Sequence, residues 1–310
     1  MIPLSDFDYE YPESLIASSA AEPRDSSRLL VLDRSVDTLE HVYFYDLPRF
    51  LKPGDCLVVN RTKVMPCRLL GRKSTGGKAD LLLVHELGPA TWTALASGFN
   101  AGQRLEFPGG MAAVVEGLTE NGEYRLLFET TDLRTYLSEH GLPPLPPYIA
   151  KKRVPSRADA ARYQTVYARD DGSIAAPTAG MHFTPELIVK LKESGVSVAY
   201  VTLHVGRGTF RPITSDDAAL HQMLAERYEV EPAEAKIIIE ARARGGRVVS
   251  VGTTTTRTLE TLAARSEGFG PGTGDSSLYI TPGYEFRAID ALITNFHLPR
   301  STPLLLASAF

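Results

Sequence analysis

The chain has 310 residues, 43% of them hydrophobic and 23% charged, which is the composition of a globular protein long enough for two domains. No apolar run reaches the length of a membrane span, and the N-terminal segment lacks the basic and apolar regions of a signal peptide. We therefore expect a cytoplasmic protein with no membrane contact. Cys56 and Cys67 lack the spacing of a redox or metal motif and are expected to be reduced thiols. The net charge of −4 argues mildly against nucleic-acid binding, for which a basic domain is usual.

The N-terminal part of the chain contains one short predicted helix, at 12–18, and predicted strands at 29–32, 42–45 and 56–60. From about residue 64 the pattern changes, because short β-like runs separated mostly by glycine-containing turns replace helical periodicity. These runs lie at 67–71, 79–85, 91–96, 103–107, 112–115 and 124–128. Short strands with regular turns predict a small antiparallel β-barrel.

The second half of the chain alternates between helical and strand patterns. A helix at 131–140, ended by Gly141, and a stiff proline-rich connection at 142–148 come first. The later predictions are helices at 184–194, 232–244 and 254–265, strands at 196–203, 247–251, 278–280 and 291–294, a flexible loop at 266–277 and a helix start at 304–310. Alternation of this kind is typical of a layered α/β domain. We predict an α/β fold in which 1–63 and 151–310 form the main α/β domain and 64–150 form an inserted β-barrel domain.

The segment 173–210 is the most informative part of the sequence, because it places a histidine in each of two loops of small residues. Thr184, Pro185 and Glu186 are the N-cap, first position and first turn of a predicted helix between these loops, and Gly195 ends that helix. A predicted strand follows and leads into the second loop. Polar groups in glycine- and alanine-rich loops at the ends of elements are how α/β proteins build sites, so we expect a site here.

Many short motifs of the sequence resemble those of one enzyme family. They are Asp6-Phe7-Asp8-Tyr9, Pro53-Gly54-Asp55, Thr75-Gly76-Gly77-Lys78, Leu145-Pro146-Pro147-Tyr148-Ile149, Arg162-Tyr163-Gln164-Thr165-Val166-Tyr167, Val251-Gly252-Thr253-Thr254 and Ile293-Thr294-Asn295-Phe296-His297-Leu298-Pro299. In this order they resemble the S-adenosylmethionine:tRNA ribosyltransferase-isomerase family of queuosine biosynthesis. The resemblance implies a large α/β domain paired with a smaller β-barrel.

The resemblance also implies a reaction. The family moves the ribosyl carbons of S-adenosylmethionine onto 7-aminomethyl-7-deazaguanine in tRNA, which gives epoxyqueuosine and releases adenine and methionine. The chain would thus be a transferase and isomerase of tRNA modification, consuming S-adenosylmethionine as a substrate and binding no cofactor. We expect tRNA and S-adenosylmethionine as partners of a cytoplasmic monomer. No metal is expected, because the sequence lacks HExxH, paired CxxC and clustered His/Asp motifs.

Proton transfer in such a reaction needs groups that titrate near neutral pH, and histidine is the natural choice. We predict His182, His204 and His297 as catalytic residues, since each lies in a loop at the end of an element. The alternative for each of them is a histidine that only hydrogen-bonds the backbone of its loop. His221 is a weaker candidate.

A second set of residues is predicted to contact substrate. Thr253 and Thr254 open a helix directly after a strand, where free N–H groups suit a carboxylate or a ribose, although threonines there can also be simple caps. The whole predicted set comprises Asn60, Thr62, Arg68, Lys78, Tyr163, Gln164, Thr165, Thr178, Gly206, Thr209, Thr253, Thr254, Arg257 and Asn295. The basic clusters at 68–78 and 151–162 are either a track for RNA or ordinary solvated charge.

Three features depart from the family pattern. Arg61 stands where the family tends to have an aspartate, and Leu224 stands where it usually has a histidine. The family also usually continues beyond the apolar run 304–310, so we expect a shortened or divergent member. These departures motivate two alternatives: a non-catalytic relative that binds RNA or a nucleoside, and an enzyme that uses the same donor on an acceptor other than tRNA.

Overall fold

The computed structural model describes residues 1–17, 19–130, 132–150, 152–210 and 213–310, with the backbone alone for Pro147, Thr209 and Phe210. The strands in this part of the chain are β1 (Arg28–Asp33), β2 (Thr38–Tyr43), β3 (Cys56–Asn60), β4 (Thr62–Val64), β5 (Arg68–Lys73), β6 (Lys78–Glu86), β7 (Thr91–Leu95), β8 (Arg104–Glu106), β9 (Ala112–Leu118), β10 (Tyr124–Phe128), β11 (Asp170–Ser173), β12 (Ser197–Leu203), β13 (Glu226–Val230), β14 (Val248–Val251), β15 (Gly272–Ser276) and β16 (Ala291–Ile293). The α-helices are α1 (Leu133–His140), α2 (Pro147–Ala150), α3 (Ala158–Arg162), α4 (Pro185–Glu193), α5 (Pro232–Ala243), α6 (Thr253–Ala263) and α7 (Thr302–Ala309). Short 3₁₀ turns lie at Leu4–Phe7, Glu13–Leu15, Arg24–Ser26, Phe44–Arg49, Pro108–Gly110, Thr178–His182, Arg207–Phe210 and Ala218–Leu220. None of the described helices is long and apolar enough to cross a membrane.

The described chain divides into two compact units. The first comprises Met1–Lys63 with Gln164–Phe310, and the second is Val64–Tyr163. The second unit therefore ends thirteen residues later than the predicted boundary at 150 (163 − 150). That the two units are independent domains stays a prediction.

The first unit is built on a six-stranded sheet in the order β15-β13-β12-β3-β14-β16. Strands β12, β3, β14 and β16 are parallel to one another, whereas β13 and β15 run antiparallel to their neighbours. Residues of β3 alternate between faces: Val58 packs with the apolar side of α5 and α6, and Leu57 packs with that of α4. Helices thus cover both faces of the sheet, and the predicted layered α/β fold is confirmed.

The parallel strands determine where a site can form. Their carboxyl ends meet at one edge of the sheet, which we call the carboxyl edge. Strand β3, the earliest of the four in the chain, has β12 on one side and the later β14 on the other. The next helix of the first unit after β3 is α4, which packs on one face of the sheet, whereas the neighbouring β14 is followed by α6 on the other face. This change of face between adjacent strands opens a crevice for ligands at the carboxyl ends.

Helix α4, which faces this sheet, forms for the reasons visible in its sequence. The Thr184 hydroxyl accepts a hydrogen bond from the Leu187 N–H (3.1 Å), Pro185 occupies the first turn, and Gly195 has a left-handed φ of +85° just after the helix. The helix predicted at 184–194 is confirmed.

The second unit contains a closed barrel in the strand order β10-β7-β6-β5-β8-β9, all pairs being antiparallel. Alternate residues fill its interior, among them Leu81 and Leu83 of β6 and Trp92 of β7, which are at most 1% exposed. The predicted barrel is confirmed.

Helix α1, which follows the barrel, ends at Gly141, whose φ of −69° is ordinary. A Cβ at this position would lie 1.9 Å from the Pro66 carbonyl oxygen, so only glycine lets the two backbone segments approach this closely. The first residue of the predicted helix, Thr131, lies outside the described residues.

Several predicted elements were wrong. The segment 278–280 is not a strand; the edge strand is β15, inside the segment predicted to be a flexible loop, and it pairs with β13. Glycines weaken a strand, but the Tyr228 ring of β13 covers Gly274, where a Cβ would lie 3.0 Å from the phenol oxygen. The helix predicted at 12–18 is only the 3₁₀ turn Glu13–Leu15, with Ser18 outside the described residues, and the extended connection predicted at 142–148 turns into α2.

Candidate active site

The carboxyl edge gathers most of the predicted site residues of the first unit. Asn60 ends β3, His204 follows β12, Thr253 follows β14, and Asn295 and His297 follow β16. His182 belongs to the 3₁₀ turn before α4 and reaches the same edge through Asn295. Residues far apart in sequence are therefore brought together by strand order alone.

The side chain of Asn60 joins three elements of this edge. Its Nδ2 donates to the Leu203 carbonyl (3.0 Å) and the Thr254 hydroxyl (3.2 Å), and its Oδ1 accepts from the N–H groups of Thr62 and Leu203 (3.1 Å each). Asn60 is 1% exposed, and these bonds use both its donors and its acceptor. Asn60 thus fixes the start of α6 relative to β3 and β12, which is a positioning role.

His204 is held by its Nδ1 atom. The Thr62 hydroxyl, which is fully buried, lies 2.8 Å from Nδ1, and Gly172 lies so close to the ring that a Cβ there would be 2.9 Å from it. Because Nδ1 is engaged, Nε2 is the ring nitrogen that can face a substrate. Burial lowers the pKa of His204 below 6.5, although the charges of Asp170 and Glu229 oppose this. A neutral imidazole is the form that accepts a proton.

His182 is tied to protein on more than one side. The Asn295 amide nitrogen lies 3.0 Å from its Nε2, the Phe44 ring lies 5.2 Å from its ring, and the backbone of Arg24 hydrogen-bonds it. Burial lowers the pKa of His182, and the Arg24 bond opposes that shift. With Asn295 donating to Nε2, that lone pair is occupied, so His182 is better suited to orienting Asn295 than to removing a proton.

His297 is also neutral at ordinary pH. Its Nε2 lies 3.0 Å from the Thr294 hydroxyl, its backbone carbonyl accepts a hydrogen bond from the Tyr9 hydroxyl, and burial lowers its pKa to about 4. A group with this pKa is a hydrogen-bonding partner and not a cation at neutral pH.

The N-terminus of α6 borders a small cleft. Gly252 precedes the helix with a left-handed φ of +87°, which turns the chain from β14 into α6. The cleft is lined by Met223, Thr253, Thr254, Arg257, Leu278, Tyr279, Ile280, Thr302, Pro303 and Leu306. Arg257 is 6% exposed, pairs with Glu226 and donates to the Leu278 and Ser276 carbonyls (3.0 Å each), so it positions α6 against β13 and β15.

Arg61 lies in a group of carboxylates. It is 4% exposed and lies 2.7 Å from Asp170, 2.6 Å from Glu231 and 3.5 Å from Glu234. Burial would raise the pKa of Asp170, but hydrogen bonds from Thr202, Arg169 and Arg61 outweigh burial and lower it to about 2. The departure at residue 61 is therefore explained by a buried ion cluster, and an aspartate there would add a further carboxylate to it.

The remaining predicted residues of the first unit are less central. The Gly206 N–H donates to Glu226 (2.9 Å), and Thr178 begins the turn that carries His182. The side chain of Thr209 lies outside the described residues. Leu224 packs beside Gly208, where a Cβ would lie 3.3 Å from the leucine Cβ, so this departure affects the loop that follows β12. The Gln164 carbonyl accepts from Arg24 (2.5 Å).

Three predicted residues lie in the second unit. Arg68 pairs with Asp80 through two hydrogen bonds (2.9 and 2.7 Å), Lys78 is exposed at the start of β6, and Tyr163 is 5% exposed. Of the second basic cluster, Arg153 pairs with Asp159 (2.6 Å), and Lys151 lies outside the described residues. Because Asp80 neutralises Arg68, this residue has less positive charge to offer RNA than the sequence alone implied.

Sequence reasoning missed Tyr167, which contacts the turn that carries His182. A Cβ on Gly180 would lie 2.0 Å from the Tyr167 hydroxyl and 3.0 Å from Thr165. The hydroxyls of Thr165 and Tyr167 and the Oδ1 of Asn295 are buried and have no hydrogen-bond partner among the described residues. The only signal in the sequence was that Tyr167 is the last residue of the family-like motif 162–167, which also contains Thr165. No group of His, Cys, Asp and Glu that could hold a metal occurs in the described part of the chain.

Gly180→Ala is expected to destabilise the protein by about 1–3 kcal/mol and to lower activity, because the added methyl group overpacks this turn. The double variant with Tyr167→Phe should recover part of both losses, since the hydroxyl that clashes is removed. Thermal unfolding and initial rates measure the two effects. Gly270→Ala is the matched control, because nothing lies within 4 Å of its Cβ position. Equal thermal stability and equal initial rates of Gly180→Ala and Gly270→Ala would show that Tyr167 does not shape the turn that carries His182.

The comparisons with known proteins agree over nearly the whole chain. The model of a family described as "Queuosine biosynthesis protein" matches residues 4–310. S-adenosylmethionine:tRNA ribosyltransferase-isomerase of Moorella thermoacetica is 51% identical over 99% of this chain and 91% of its own length, and that of Staphylococcus aureus strain Newman is 44% identical with the same coverage. The crystal structure of S-adenosylmethionine tRNA ribosyltransferase from Thermotoga maritima matches with a TM-score of 0.53 and 37% identity, over 98% of this chain and 89% of that one. The chain therefore belongs to the S-adenosylmethionine:tRNA ribosyltransferase-isomerase family of queuosine biosynthesis.

Proposed function

We propose that this protein is an S-adenosylmethionine:tRNA ribosyltransferase-isomerase. It transfers and isomerises the ribosyl moiety of S-adenosylmethionine onto 7-aminomethyl-7-deazaguanine in tRNA, forming epoxyqueuosine and releasing adenine and methionine. The observation that carries this proposal is the match to the family over residues 4–310. The gathering of three buried or half-buried histidines at one sheet edge supports it.

His204 is the residue best placed to start the reaction. The sulfonium of the donor acidifies the neighbouring C5′ proton, and a neutral base must take that proton while its electron pair stays on carbon. His204 has its Nδ1 bound by Thr62 and its pKa lowered by burial, so Nε2 is neutral and available near pH 7. Thr62 acts as the positioning residue that keeps the ring in this orientation.

The donor carboxylate fits the start of α6. The first N–H groups of this helix have no partner within the helix, and the helix dipole favours a negative group there. Asn60 holds the Thr254 hydroxyl and so fixes the first turn (3.2 Å). The apolar part of the adjacent cleft, including Met223 and Leu306, suits the methylene groups of the methionine moiety.

The departure of adenine needs a hydrogen-bond donor near its ring. Asn295 is the candidate, because one N–H of its Nδ2 donates to His182, which orients the amide, and the same nitrogen carries a second N–H that can donate to adenine. His297, with a pKa of about 4, stays neutral and supports the same loop through Thr294. S-adenosylmethionine is consumed in this scheme, and no cofactor takes part.

Two alternatives were open from the sequence: a non-catalytic relative, and a different acceptor. The Arg61 departure that favoured the first has a structural explanation in the ion cluster with Asp170, Glu231 and Glu234. The names of the relatives favour tRNA as the acceptor over the second alternative.

The proposal is tested by measuring adenine release from S-adenosylmethionine at near-stoichiometric enzyme. We expect release that depends on tRNA carrying 7-aminomethyl-7-deazaguanine. The same tRNA with unmodified guanine is the control. Donor and tRNA binding without release would instead identify a non-catalytic relative, and release that ignores tRNA would point to another acceptor.

A further inference from the structure

Two exposed tyrosines stack on each other where β2 ends. Tyr43 ends β2 and Tyr45 lies in the following 3₁₀ turn; their ring centroids are 5.2 Å apart and their planes differ by 13°. The two residues are 46% and 45% exposed. Phe44 between them is 2% exposed, and its ring lies 5.2 Å from that of His182. The stacked pair is therefore displayed one residue away from a side chain that packs on the site.

Charged side chains of both signs surround the pair, and the two carboxylates are already bonded within the protein. Asp46 accepts a hydrogen bond from the Tyr43 N–H (3.1 Å), and Glu40 pairs with Arg49 (2.8 Å), so both carboxylates are engaged locally. Arg28 lies directly opposite Tyr43 in the antiparallel register of β1 and β2 and is exposed. Directly opposed residues share a face of the sheet, so a cation stands beside the Tyr43 ring.

From this arrangement we propose that Tyr43 and Tyr45 stack with an unpaired base of the tRNA substrate and that Arg28 contacts an adjacent phosphate. Unpaired bases bind proteins chiefly by stacking on aromatic rings, and basic side chains beside the ring follow the backbone. Phe44, between the two tyrosines in the chain, packs against His182 and so links this segment to the turn that carries the histidine. This inference rests on the proposed function, because that function supplies tRNA as the partner.

Binding of tRNA is measured directly, apart from catalysis, in variants of the full chain. Tyr43→Leu and Tyr45→Leu keep apolar volume but remove the ring, and each should weaken tRNA binding by about 5- to 100-fold, the range that stacking on one base contributes. Tyr43→Phe and Tyr45→Phe keep the ring and should bind like the wild type. Arg28→Gln should reduce the slope of log affinity against log salt by about 0.7 to 0.9, as loss of one phosphate contact requires.

Leu39→Ala, at another exposed position of β2, is the control and should bind tRNA normally. The inference is overturned if the leucine variants bind tRNA as tightly as the wild type, or if the phenylalanine variants lose as much affinity as the leucine variants. A change in oligomeric state without a change in tRNA affinity would also overturn it, because the pair would then be a contact between copies of this chain. Wild-type protein that binds tRNA through this pair but releases no adenine would contradict the proposed function and leave the inference intact.

Discussion

His204→Ala is expected to lower tRNA-dependent adenine release by about 100-fold or more, because a general base contributes that much to such a step. The donor and tRNA should still bind, since Asn60 holds the edge of the sheet without help from the imidazole. Single-turnover adenine release at saturating substrates measures the effect. A rate within a few fold of the wild type would remove His204 from the proton transfer.

The pH dependence gives an independent readout of the same residue. The base acts when neutral, so the rate should fall only as the pH drops below the pKa of His204, which burial holds below 6.5. Thr62→Val should lower the rate because the ring is no longer held in place, but the rate should still fall at low pH. In His204→Ala this fall at low pH should disappear. His41→Ala, at an exposed position of β2, is the matched control and should change neither rate nor profile.

Arg61→Met is expected to lower the free energy of unfolding by about 1–3 kcal/mol, because Asp170, Glu231 and Glu234 lose their buried cation while Arg169 still pairs with the first two. Arg61→Asp should be less stable still. The adjacent Lys63 pairs with Asp171 at the surface, where both side chains are about half exposed, so Lys63→Met should cost less than about 1 kcal/mol. Denaturation followed by far-UV circular dichroism compares the two, and equal midpoints would show that the cluster does not stabilise the fold.

The stability of the cluster should also depend on pH. The pKa of Asp170 is about 2 in the folded protein and about 3.9 in an unfolded chain. A carboxyl group with a lowered pKa contributes stability that is present above about pH 4 and is lost as the pH falls through about 2. Asp170→Asn should remove part of this acid-dependent loss.

The sequence was most informative where local and tertiary preferences agree. Thr184, Pro185 and Gly195 delimit α4 through caps that need no distant partner, and the barrel strands alternate buried and exposed residues between glycine turns. The gathering of His204, Thr253 and Asn295 could also be predicted, since each follows a strand and parallel strands end at one edge.

The sequence was least informative where a distant contact overrides a local pattern. Strand β13 buries Glu226, whose charge is matched by Arg257 far along the chain, and β15 is held by pairing in spite of its glycines. The sequence alone suggested altered chemistry at Arg61, because its ion-pair partners Glu231 and Glu234 lie more than a hundred residues later and could not be assigned to it. Nothing local in the sequence indicated that Gly180 lies against Tyr167.

The central claim is that this chain moves ribosyl carbons from S-adenosylmethionine to tRNA. The most direct test uses donor labelled isotopically in its ribosyl carbons, followed by mass spectrometry of the nucleosides from tRNA carrying 7-aminomethyl-7-deazaguanine. We expect the label in an epoxyqueuosine nucleoside, with unlabelled adenine and methionine released in equal amounts. Adenine release with no label in the tRNA would contradict the account, because the chain would then cleave the donor without transferring its ribosyl group.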